Sequence, residues 1–253
     1  MPYADNNGIQ IHYEIEGTGP PVVLLHWSFA TLDDWYDYGW VDALKADYRL
    51  ILLDARGHGR SDKCYTAEDY ALERRVSDVV AVLDAERIAR SHFFGYSMGG
   101  WVGFGLAKYV PQRFRSLIIG GQHPYAQSLQ ELREIVQYGI DNGHEAFIIM
   151  WEKDIGILTA VQKERMRMYN FQALLAVAHD RESLEDVLPG MTMPCLLIVG
   201  ENDGVKQAAQ KCLPQIPNGR LVVVPGIDHF GGFRQSDIML PYLKGFWESI
   251  PSA

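Results

Sequence analysis

The chain has 253 residues, 47% of them apolar and 22% charged, with a formal net charge of −9. That length supports one large domain, or a domain carrying an insertion, with a sizeable buried core. The acidic balance leaves no basic footprint, so nucleic acid and anionic membrane surfaces are not expected partners.

Ile9 to Ile15 alternates, with Ile9, Ile11, Tyr13 and Ile15 on one face and Gln10, His12 and Glu14 on the other. This reads as a half-exposed strand near a sheet edge, with His12 turned outward. After the Gly17–Pro21 turn the pattern changes to Val22-Val23-Leu24-Leu25, apolar throughout, as in a strand buried on both faces. His26-Trp27-Ser28-Phe29 ends it, and Trp35 to Ala46 reads helical. A second such run, Leu50 to Leu53, ends in Asp54-Ala55-Arg56-Gly57-His58-Gly59-Arg60-Ser61. Glu68 to Ala85 sets Tyr70, Leu72, Val76, Val79, Val80 and Leu83 near one stripe of a helix.

The next run, His92-Phe93-Phe94, leads into Gly95-Tyr96-Ser97-Met98-Gly99 and a helix to about Tyr109. Gly-x-Ser-x-Gly between strand and helix can hold a serine hydroxyl above a sheet on a sharp turn. Leu117-Ile118-Ile119 is a further strand. Apolar strands alternating with helices predict an α/β fold with a mostly parallel sheet covered by helices on both faces. Sites in such sheets lie at the C-terminal strand ends.

From about residue 122 to 187 no strand-like run occurs, and Leu129–Tyr138, Glu145–Ile155 and Ala160–Ala178 read helical. This predicts a helical cap at 122–187 inserted into a core of 1–121 and 188–253. Most of its bulky apolar groups are expected to pack it onto the body, with a few facing the cleft. Strand and helix alternate again at Cys195–Val199, about Val205–Leu213, Leu221–Val224 and Asp237–Ile250.

A serine hydroxyl needs a base, and the base needs an anionic partner to fix its tautomer. Of eight histidines, His229 follows the last apolar run and is the favoured base; His26 and His58 end earlier strands in turns that read as structural. Asp203, just past Val199-Gly200, is the favoured acid over Glu201 and Asp228. The order Ser97…Asp203…His229 and these motifs resemble the α/β-hydrolase superfamily, in its cap-bearing, esterase-like branch. The likeness rests on Gly95–Gly100, the Asp54–Ser61 turn, Gly200-x-x-Asp203 and Asp228-His229-Phe230, and spans nearly the whole chain.

That resemblance implies Ser97 as nucleophile, His229 as general acid/base and Asp203 as the orienting acid. It also implies backbone N–H donors for the oxyanion at Met98 and Ser28. Trp27, Tyr96 and Asp228 depart from the family pattern, which more often has glycine, histidine and glycine there. Trp27, Phe29, Phe147, Trp151 and Phe230 are candidate pocket residues. The expected activity is cleavage of a small carboxylic ester, since the cap is apolar and the oxyanion loop carries no charge to suit an acidic substrate. A lactone or a carbon–carbon bond flanked by carbonyls would use the same triad, and so would a perhydrolase or lyase. A receptor with slow turnover is the reading from another class.

No metal or organic cofactor is expected: no cluster has zinc spacing, and no Gly-x-Gly-x-x-Gly opens the first helix. Cys64, Cys195 and Cys212 are odd in number and scattered, which fits a reducing compartment. No leader or membrane span is visible in the sequence, so a cytoplasmic monomer or homodimer is expected.

Overall fold

The computed structural model describes residues 2–251. Eight strands form one sheet: β1 (Tyr3–Asn6), β2 (Ile9–Glu16), β3 (Pro21–Leu25), β4 (Arg49–Leu53), β5 (Ser91–Tyr96), β6 (Phe114–Gly120), β7 (Cys195–Gly200) and β8 (Gly219–Val224). Their spatial order is β1-β2-β4-β3-β5-β6-β7-β8. Only the β1–β2 and β2–β4 pairs are antiparallel; the other five are parallel.

The continuous apolar runs are explained by two cores. Side chains alternate across a strand, so Leu24, Phe94 and Ile198 point to one face while Val23, Phe93 and Leu197 point to the other. On the first face lie the short helices α1 (Asp33–Asp37) and α2 (Trp40–Leu44), through Trp35, Trp40 and Leu44. The second face takes α3 (Leu72–Ala85) and α4 (Met98–Tyr109), through Val79 and Phe104. Trp35 and Phe104 are fully buried, each contributing roughly 1.5–3 kcal/mol of apolar burial.

Between β6 and β7 the chain forms α5 (Gln130–Ile155), α6 (Ala160–Arg167) and α7 (Phe171–Val177). Beyond β7 come α8 (Lys206–Cys212), α9 (Gly231–Arg234) and α10 (Ser236–Glu248). Gly143, at φ 82°, interrupts α5 where the sequence reading placed a gap between two helices. Among the described residues no helix is long and apolar enough to cross a membrane.

Several expectations need correction. Strand β1 was not foreseen, because its polar, half-exposed residues carry no apolar run. The helix expected over Trp35–Ala46 is two, parted at Gly39, whose φ of 77° ends the helical path. The helix expected over Ala160–Ala178 is also two, because the Asn170 side chain accepts from the Ala173 amide and starts α7 afresh. His12 does not face solvent. It is fully buried, and its Nδ1 meets Asp54 Oδ2 at 2.8 Å where the loop after β4 folds over β2.

Candidate active site

β5 delivers the chain to Ser97, and α4 begins at the next residue. Ser97 sits at φ 51°, ψ −107°, a conformation costing on the order of 1–3 kcal/mol for a residue with a Cβ. Its surroundings impose it. The Ser97 amide donates to Gly120 O at 2.8 Å, and its carbonyl accepts from the Trp101 amide at 2.9 Å. The flanking glycines are required by close approach: a Cβ on Gly99 would lie 2.1 Å from Leu25 O, and one on Gly95 2.3 Å from Gly99 O.

His229 and Asp203 arrive from the ends of β8 and β7. His229 Nδ1 lies 3.0 Å from Asp203 Oδ2, and its Nε2 lies 3.1 Å from Ser97 Oγ. With Nδ1–H donating to the carboxylate, Nε2 is left to accept the serine proton. The Asp203 side chain is 1% exposed and that of His229 31%, so the acid is sealed while the imidazole borders open space. Asp203 Oδ1 also accepts from the Val205 amide at 3.1 Å. Neither rival carboxylate hydrogen-bonds the His229 ring. Glu201 accepts from the Gly226 amide, and Asp228 accepts from the Gly231 amide at 2.6 Å, bracing the turn after the histidine.

Tyr96 and Asp228, two departures from the family pattern, thus have structural work. The Tyr96 hydroxyl donates to His229 O at 2.7 Å, and burial pushes its pKa well above the usual value, keeping the donor protonated. Trp27 walls the site: its ring stacks on Trp151 at 6.0 Å and meets Phe230 edge-on at 5.6 Å. The loop it belongs to is fixed from both sides. His26 Nδ1 donates to Trp27 O at 2.8 Å and its Nε2 accepts from the Ala55 amide at 3.1 Å. The Tyr169 hydroxyl donates to Phe29 O, where Phe29 itself takes a left-handed φ of 54°. Among the described residues, the amides of Met98 and Ser28 donate to no protein acceptor.

Ser97, His229, Ser28, Trp27, Phe29, Trp151 and Phe230 border one cavity of about 310 Å³. Phe147 does not. It is fully buried behind that wall, stacked on Trp151 at 5.9 Å and edge-on to Phe29 at 5.7 Å, so its place among the pocket residues is corrected to support. The cavity also takes Gln122, Gln127, Leu129, Leu132, Ile135 and Arg181, which sequence reasoning did not single out. Leu129, Leu132 and Ile135 follow three-residue spacing, a signal that one face of α5 is apolar; Arg181 lies in a loop without any motif. The cap side of the cavity is therefore mixed rather than apolar. A second cavity of about 230 Å³, between the 57–63 turn and α6–α7, does not reach Ser97 or His229. Among the described residues no three His, Cys, Asp or Glu side chains are grouped to hold a metal ion.

The model of the alpha/beta hydrolase fold family matches residues 20–149, more than half of the chain. The chain belongs to the α/β-hydrolase family. A Bacillus subtilis (strain 168) protein, provisionally named a 2-succinyl-6-hydroxy-2,4-cyclohexadiene-1-carboxylate synthase, is 27% identical over 95% of this chain and 96% of its own length. The 3-oxoadipate enol-lactonase 1 of Acinetobacter baylyi (strain ATCC 33305 / BD413 / ADP1) is 42% identical over 79 residues, 31% of this chain and 29% of that one. Among solved structures, an enol-lactonase from Burkholderia xenovorans LB400 superposes with a TM-score of 0.85 over 98% of this chain and all of that one. Its 23% identity supports likeness of fold alone.

Proposed function

We propose that this α/β-hydrolase is a serine hydrolase that cleaves a small carboxylic ester through an acyl-enzyme intermediate. The observation that carries this reading is the hydrogen-bonded line Asp203–His229–Ser97, ending in a cavity that Ser28 also borders, with the unpaired Met98 amide at the start of the helix after Ser97. His229 takes the Ser97 proton as Oγ attacks the ester carbonyl. The Met98 and Ser28 amides hold the oxyanion, each contributing about 3–4 kcal/mol at the transition state. The imidazolium, steadied by Asp203, gives its proton to the leaving alcohol. Water, deprotonated by His229, then releases the acid and restores Ser97. A lactone is an internal ester and fits the same steps; similarity to a lactonase over 79 residues favours it as the second reading.

Turnover of p-nitrophenyl acetate and butyrate tests the proposal. Wild type is expected to hydrolyse at least one of them at a rate far above that of Ser97→Ala. Equal rates for the two proteins would remove the acyl-enzyme mechanism.

A further inference from the structure

Arg181 is 8% exposed and, among the described residues, makes no ion pair with any carboxylate. Its backbone pairs with Gln127 in an isolated antiparallel bridge, which carries the side chain to the cavity that holds Ser97 and His229. The guanidinium lies over the Trp101 ring, 5.0 Å from its centroid, on the first turns of the helix that Ser97 starts. One Nη donates to Gln127 Oε1 at 3.0 Å. Nε and the second Nη donate to no protein atom, and neither is enclosed by protein. These two N–H groups form the edge of a guanidinium that grips both oxygens of a carboxylate.

The neighbourhood supplies no anion to fill that edge. Asp180, the preceding residue, is taken by the Leu129 amide at 2.8 Å and Arg133 at 2.7 Å. Glu131 and Asp154 border the same cavity but are exposed, where water screens them. A second buried cation, Arg75, lies on the same Trp101 ring at 5.7 Å and adds positive potential. Burial, then Arg75, pushes the Arg181 pKa down to about 9. A guanidinium withdrawn from bulk water, with its remaining N–H groups open to the cavity, favours an anion that enters there.

We infer that Arg181 receives a carboxylate of the substrate, so that the ester or lactone cleaved at Ser97 is itself an anion. This rests on the hydrolase reading and adds the substrate's charge to it. The expectation of a small ester rested on an apolar cap and an uncharged oxyanion loop, whereas Arg181 brings a cation from the loop after α7.

Two matched pairs of esters place the carboxylate on either side of the scissile bond. Mono-p-nitrophenyl glutarate against p-nitrophenyl pentanoate puts it on the acyl side; 4-acetoxybenzoate against its methyl ester puts it on the alcohol side. Wild type is expected to favour the charged member of at least one pair by about 10- to 100-fold in kcat/KM, mostly through KM. Arg181→Gln is expected to bring that ratio near one, with Arg181→Lys between. Preference for the neutral member of both pairs, or a ratio that survives in Arg181→Gln, overturns the inference. Competitive inhibition of wild type needs no variant: glutarate is expected to inhibit p-nitrophenyl butyrate turnover about tenfold more strongly than glutaramide, and equal inhibition overturns it. Should no ester be cleaved, the hydrolase reading fails by itself. The carboxylate site is then decided by whether glutarate, and not glutaramide, raises the Tm of wild type.

Discussion

Asp54 and Asp203 occupy matching places in the molecule. Each follows the C-terminal end of a parallel strand, β4 and β7, each is almost fully buried, and each holds a histidine by Nδ1, at 2.8 and 3.0 Å respectively. They differ in what lies beyond the imidazole. His12 is sealed, and its Nε2 faces Arg60 at 3.5 Å and Glu14 at 3.9 Å. His229 borders a cavity, and its Nε2 faces a serine hydroxyl on a strained turn. Asp54 spends its other contacts on the backbone, accepting from the Leu32 and Arg60 amides at 2.9 Å each. On the proposed reading, an acid–imidazole pair is a folding device or a proton-transfer device according to access and to the third group.

The largest effects should separate the two pairs. Ser97→Ala should lower kcat by about 10⁵- to 10⁶-fold, and Asp203→Asn by about 10³- to 10⁴-fold, with little change in urea midpoint. Asp54→Asn should do the reverse. Breaking a buried, multiply bonded pair should cost about 3 kcal/mol in urea unfolding while kcat of the folded protein stays within about tenfold. If Asp54→Asn matched Asp203→Asn in kcat without loss of stability, the distinction between the pairs would collapse.

Acid should expose the cost of other sealed imidazoles. Burial lowers the pKa of His26 and His58, and of His92 to about 4. Below the unfolded value of about 6.5 the unfolded chain binds more protons than the folded one, so stability falls with falling pH. For His92, buried but close to the surface at 7% exposure, that loss runs from about pH 6.5 to 4 and, allowing for solvent screening, amounts to about 1–2 kcal/mol. Urea unfolding across that window should show the decline, and His92→Gln should make it shallower by His92's share, leaving that of His26 and His58. The smallest effect is at Tyr96→Phe, which removes one donor to the His229 carbonyl. It should cost about 1 kcal/mol of stability and lower kcat more than it raises KM, by about tenfold. A variant that lowered stability alone would make Tyr96 a packing residue only.

Much of this was legible in the chain. Apolar runs marked β3 to β7 because parallel strands between helix layers must be apolar on both sides. Asking which reactive groups end those runs picks out Ser97, Asp203 and His229, which the fold brings into one hydrogen-bonded line. Asp54 also ends such a run but belongs to a turn that reads as structural, and the fold adds its enclosed partner, His12. His12 was misplaced because alternation reports the two faces of a strand, not what later covers them. Phe147 is indistinguishable from Trp151 in sequence, since both lie on the buried stripe of α5 and differ only in depth. Arg181 left no local signal at all. Its position depends on a backbone bridge between residues 127 and 181, a pairing across more than fifty residues that periodicity does not encode.

The nucleophile can be tested most directly by intact-mass analysis after treatment with a fluorophosphonate. One adduct per chain, mapped to Ser97, lost in Ser97→Ala and accompanied by loss of ester turnover, is the expected result. Labelling of another residue, or turnover that persists in a fully labelled protein, would contradict the assignment of Ser97 as the group that attacks the carbonyl.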